Sequence, residues 1–201
     1  MAGVMELVLR KFLLDVDDML PARIVAYDRA ANRAQIAILY QVTMTDGTLH
    51  PLLAPAEVPV LTMGGGGLCL SFPLRPGDLG WIKASDRDMS RFLQSYEAEP
   101  GHTARLHCFE DGVFIPDVMK GFVIHDEEAA TLQTLDGTAS VAVKPGGIVF
   151  TAGSTVVSVT EAGVEINKPV TAPQLTNGVV SLFGHVHHNP EGGDTGPAKN
   201  P

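Results

Sequence analysis

At 201 residues, with 45% hydrophobic and only 18% charged positions, the chain is long enough for a real core and its composition is unlike that of a disordered segment. Its 21 Gly and 14 Pro point to a turn-rich, mainly β protein. A formal charge of −9, without a basic cluster, speaks against binding a nucleic-acid backbone.

Met5, Val8, Leu9, Phe12, Val16 and Met19 recur at helical spacing, which predicts an amphipathic helix over residues 1–20 that Pro21 ends. Glu6, Arg10, Lys11, Asp15, Asp17 and Asp18 interrupt any signal-peptide core or transmembrane span, so a soluble chain made in the cytoplasm is expected. The apolar stripe suits equally a contact with the following domain and one with a partner subunit.

From Ala22 the period changes to two. Residues 23–27 and 34–40 read as paired strands around a turn at Asp28–Asn32, and Asp46-Gly47 marks a tight turn. Leu68–Phe72 forms a further strand, Pro76-Gly77-Asp78 turns into Leu79–Lys83, and Ser85 with Asp88 resembles a capping box for a short helix through Gln94. Arg105–Phe109, a turn at Asp111-Gly112 and Val113–Pro116 supply the last strands. Short strands with tight turns over residues 21–128 suit a small closed barrel such as an OB-fold, followed by a connector. The run Gly64–Gly67 lacks the Gly-Lys-Ser/Thr ending of a phosphate loop and reads as a flexible loop. Cys69 and Cys108 sit in apolar strand-like contexts and no C-x-x-C occurs, so two buried free thiols are expected rather than a zinc site.

Residues 129–182 differ in kind. Val141–Phe150 and Val157–Ile166 match as Val-x-Val-x-x-x-Gly-(Ile/Val)-x-(Phe/Ile), offset by sixteen residues, with a weaker copy through Gly178-Val179. So few short strands do not bury an apolar face within one chain and need stacking neighbours. Identical chains around a common axis supply both neighbours and protected edges, most simply as a closed cyclic trimer.

In the final stretch, residues 183–201, His185 and His187 stand at i and i+2, so an extended strand presents both imidazoles on one face while His188 points away. Two imidazoles leave a metal site incomplete, and three copies make six nitrogen ligands, which suits an octahedral transition ion better than zinc, calcium or magnesium. Nickel and cobalt fit that set as well as iron does. Other readings of these residues are a metal-free surface cluster, adventitious metal on a monomer, and a metal-dependent enzyme using His185, His187 and His188 with Asp194 or Glu191. The enzyme reading lacks a surrounding pocket-forming domain. His50, His102, His107 and His125 read as structural histidines, and no Ser-His-Asp order or close carboxylate pair supports a catalytic site.

The barrel region, the Gly-turn repeats and the terminal Gly184-His185-Val186-His187 followed by Gly192-Gly193-Asp194-Thr195-Gly196-Pro197 and Pro201 together resemble the central membrane-piercing spike proteins of contractile phage tails, with phage Mu and its relatives as the pattern. Leu20–Val25, Pro76–Gly80, Arg105–His107 and Phe114–Pro116 are similar to family positions; Val186 departs, a polar residue being commoner there. The resemblance implies a non-enzymatic homotrimer: OB-fold collars attached to baseplate hub proteins, an intertwined triple-stranded β-helix as needle, and a metal-clamped apex. It further implies one iron ion per trimer, held by His185 and His187 of three chains, and a place at the baseplate tip of the virion, from which contraction drives the spike through the host outer membrane. Neither nucleic acid nor a small-molecule substrate is implied. A tailocin-type machine would carry the same pattern.

Overall fold

The computed structural model describes residues 2–14, 16, 18–52 and 57–171. The chain divides into two compact units, Met1–Gly121 and Phe122–Pro201. In the first, α1 (Ala2–Leu14) precedes β1 (Met19–Asp28), β2 (Arg33–Ile38), β3 (Gln41–Thr43), β4 (Leu49–Pro51), β5 (Val58–Pro59), β6 (Met63–Gly65), β7 (Leu68–Leu70), β8 (Leu79–Ser85), α2 (Phe92–Ser95) and β9 (Cys108–Pro116).

Five of these strands form one sheet in the order β5-β2-β1-β8-β9, each neighbour antiparallel. Its two outer members approach through a parallel bridge between Val60 and Phe114, where the Leu61 amide donates to the Phe114 carbonyl at 2.8 Å. The result is a nearly closed barrel. Alternation along β8 turns Gly80, Ile82 and Ala84 inward, and Ile24, Ile36, Val58 and Phe114 fill the interior with them. The Phe114 ring lies over Gly80, where a Cβ would meet ring carbon Cζ at 2.4 Å and the Ile115 carbonyl oxygen at 2.3 Å. That position therefore admits only hydrogen.

Several local expectations are corrected. The helix stops at Leu14, and Met19 and Pro21 belong to β1, opposite Lys83 and Trp81. Strand partners win over a further helical turn because β8 and the start of β2's successor segment take up this backbone: Asp18 accepts from the Ala84 amide and Pro21 from the Leu39 amide, each at 2.8 Å. Asp111-Gly112 is no turn but lies inside β9, at an irregularity where β8 and β9 shift register between Lys83 and Ser85. The Gly64–Gly67 run is not a loop but the hairpin β6–β7, with Gly66 and Gly67 at φ +60° and +83° in its two-residue turn. Cys69 is exposed on that hairpin and only Cys108 is half-buried, although both thiols are free.

The second unit carries β10 (Ala130–Gln133), β11 (Ala139–Lys144), β12 (Gly147–Ala152), β13 (Thr155–Thr160) and β14 (Gly163–Ile166), an antiparallel meander in sequence order. From β11 on, strands start every eight residues, at Ala139, Gly147, Thr155 and Gly163. The sixteen-residue repeat is thus a strand pair, β11–β12 and then β13–β14, closed by short Gly turns such as Pro145-Gly146 with Gly146 at φ +92°. The weaker copy at Gly178-Val179 lies outside the described residues.

Candidate functional site

His185 and His187, His188 beside them, and the carboxylates Glu191 and Asp194 all lie outside the described residues. Of the remaining histidines, His50 is exposed on β4 opposite Val42, His102 contacts the Arg91 guanidinium through Nδ1 at 3.2 Å, and His125 is exposed.

Two arrangements in the first unit escaped the sequence reading. Between β8 and β9 the chain makes a long excursion, and Asp88 anchors it. Its side chain is fully buried; Oδ1 accepts from the Ser90 amide at 3.0 Å and the Ser90 hydroxyl at 2.6 Å, while Oδ2 accepts from the Thr103 amide at 2.7 Å. These donors, the Ser90 hydroxyl foremost, hold the Asp88 carboxyl well below the usual carboxylate range. Arg105 bridges Asp88 at 3.4 Å and buried Asp111 at 3.1 Å, and the charge of Asp111 raises the guanidinium further. Asp88 therefore does not cap α2, whose N-cap is Arg91 without a side-chain bond. It ties the excursion to β9.

At one rim of the barrel, ligand atoms of Asp18, Asp86 and His107 fall within 4.8 Å of one another, all three residues exposed. They flank the adjacent strands β1, β8 and β9. Lys83 already places its ammonium on Asp18, and His107 Nδ1 stands 3.7 Å from Asp86. With a lysine as internal counter-ion and open solvent around it, this cluster is an ion-pair network on strand ends.

In the second unit the strand register sorts residues onto two faces. Leu132, Val141, Phe150, Val157 and Ile166 stand opposite one another across all five strands, and Ala130, Val143, Ile148, Val159 and Val164 form the next row. The other face carries Gln133, Ser140, Lys144, Thr151, Ser158 and Glu165, with Val149 and Val156 among them. A depression of about 420 Å³, bordered by Leu132, Val141 and Phe150, lies at the β10–β11–β12 side. At the β10–β11 turn, Asp136 accepts from the Thr134 hydroxyl at 2.7 Å, the Thr138 amide at 3.0 Å and the Thr138 hydroxyl at 2.8 Å. Those bonds, that of Thr134 first, lower its pKa to about 2.

Residues 20–117 match the family model of the phage protein Gp138 N-terminal domain. The match spans just under half of the 201-residue chain and coincides with the barrel from β1 to β9. A search of the curated proteins found no match. The family match supports a phage tail- or baseplate-related structural protein and a virion component.

Proposed function

We propose that the chain is the homotrimeric central spike of a contractile phage tail baseplate, which pierces the host outer membrane when the tail contracts. The match of the barrel to a phage protein domain carries this reading. The barrel's strand order, with its outer strands meeting in parallel, supports an OB-type collar that attaches to baseplate hub proteins. The repeat strands of the second unit supply the needle, in which three chains wind as a β-helix. Force then comes from sheath contraction, since a chain of charge −9 gains no attraction from an anionic cell surface.

At the apex, His185 and His187 of each chain hold one iron ion among three chains. Their imidazoles are neutral nitrogen donors at i and i+2, a donor set that in three copies fills an octahedral shell. The bound ion supplies a clamp and no reaction: it couples the three chain ends and adds its binding free energy to trimer stability. Such a closed shell leaves no open coordination position, in keeping with a non-enzymatic role.

Sedimentation velocity with metal analysis tests the reading. The wild type should sediment as a trimer with about one metal ion per three chains, and His185→Ala/His187→Ala should lose the metal. A metal-loaded monomer, or unchanged metal content in the variant, overturns it.

A further inference from the structure

We propose that Asp18, Asp86 and His107, at one rim of the barrel, form a binding site for a divalent transition ion of the zinc class, one ion per chain. The site is separate from the histidines assigned to the apex and does not depend on how many chains assemble.

Asp18 stands just before β1, Asp86 just after β8 and His107 just before β9, and these strands are neighbours in the barrel sheet. The pairing of Met19 with Lys83 and of Ser85 with Cys108 thus carries three distant points of the sequence to one place. One ligand atom from each residue lies within 4.8 Å of the other two. Zinc holds nitrogen and oxygen ligands at about 2.0–2.2 Å, which sets them about 3.4 Å apart in a tetrahedron. Closing from 4.8 Å therefore takes at most about 1.4 Å of relative movement. The Asp18 and Asp86 side chains are 60% and 77% exposed, so neither is packed against a move of that size.

Without metal, the cluster is the ion-pair network described above, and that network is weakly held. The Lys83 ammonium sits on Asp18 in an exposed pair, which contributes little. His107 Nδ1 and the Asp86 carboxylate are 3.7 Å apart, beyond hydrogen-bond reach, and the Arg87 guanidinium bonds to the Asp86 backbone carbonyl rather than its carboxylate. With the imidazole neutral, two carboxylates against one ammonium leave a negative charge uncompensated. A divalent ion neutralises that charge and displaces Lys83. The ligand set selects its class: calcium and magnesium take oxygen ligands, whereas one imidazole with two carboxylates suits zinc and its neighbours, water completing the shell. Bound there, the ion ties the start of β1 to both ends of the excursion between β8 and β9, so its binding free energy becomes stability of that segment.

The test is equilibrium dialysis of the full chain against Zn²⁺ in a His185→Ala/His187→Ala/His188→Ala background, which removes the terminal histidines from the count. One zinc ion per chain should bind at micromolar free metal. Asp86→Asn and His107→Ala should each weaken binding about 100-fold or more, the upper end of what even an outer-shell partner costs a metal site. Lys83→Gln should instead tighten it roughly tenfold, because a cation beside the divalent ion is gone. Zinc should also raise the unfolding midpoint of the background chain and leave that of Asp86→Asn unchanged, while the zinc-free midpoints of the two agree, which shows that the variant folds. A chain that takes up no zinc at micromolar concentration, zinc uptake unaltered in Asp86→Asn or His107→Ala, or weaker binding in Lys83→Gln overturns the proposal. Each of these results leaves the trimeric reading standing, since that reading is judged by sedimentation and by the apex histidines.

Discussion

The two units use the same material, short antiparallel strands with alternating apolar residues, and differ in what they do with the apolar side. In the barrel the sheet curls until β5 and β9 meet at Val60 and Phe114, so its inward side chains bury one another. Among the described residues the β10–β14 sheet shows no such closure, and residues 122–128 lie on its polar side, where Lys144 pairs with Asp126. A strand pattern thus creates an apolar face in both cases, but only closure or a second layer removes it from water. The first unit completes its core within one chain; the second, among the described residues, leaves Leu132, Phe150 and Val164 on its apolar side exposed.

The largest test of this contrast removes the barrel's central side chain. Phe114→Ala should cost about 3–5 kcal/mol, because the ring is fully buried between the two closing strands. Denaturant unfolding followed by Trp81 fluorescence should register the loss, while strand signals from β10–β14 keep their midpoint; a joint shift would break the picture of separately stabilised units. Next in size, Gly80→Ala should destabilise the barrel by about 1–3 kcal/mol, since the new methyl group meets backbone at the Ile115 carbonyl as well as the Phe114 ring. An unchanged unfolding midpoint would show that β9 moves aside freely.

The smallest effect concerns acid. Asp88 in the barrel and Asp136 in the sheet both have depressed pKa values, so each contributes stability that is present above the ordinary value of 3.8 and is lost as pH falls through its folded value. Asp136 is lowered to about 2 and Asp88 is lowered further. On acidification from pH 4, amide exchange at Thr138 should therefore rise before that at Ser90 and Thr103. The reverse order would show that the bonds around Asp88 are the weaker set.

Much of the local pattern was legible in the residues. Strand alternation from Ala22, the turns at Asp46-Gly47 and Pro76–Asp78, and the sixteen-residue repeat all correspond to elements of the structure. Other signals misled because their meaning depends on distant partners. Asp88 has the spacing of a capping residue, yet its partners include Thr103 and Arg105, far along the chain. Asp111-Gly112 has the composition of a turn, but Gly112 is needed where the Lys83 carbonyl comes within 2.4 Å of a Cβ position. Four consecutive glycines look featureless until Met63 and Leu70 pair across them.

By itself, then, the amino-acid sequence determined where most strands form and which of their residues share a face, because these follow from local backbone geometry and periodicity. Tertiary structure decided the rest. Period-two alternation assigns residues to sides without saying which side is covered, and that choice came from contacts between residues far apart: the Val60–Phe114 bridge that closes the barrel, and the Asp126–Lys144 pair that lays the connector on the polar side of the second sheet.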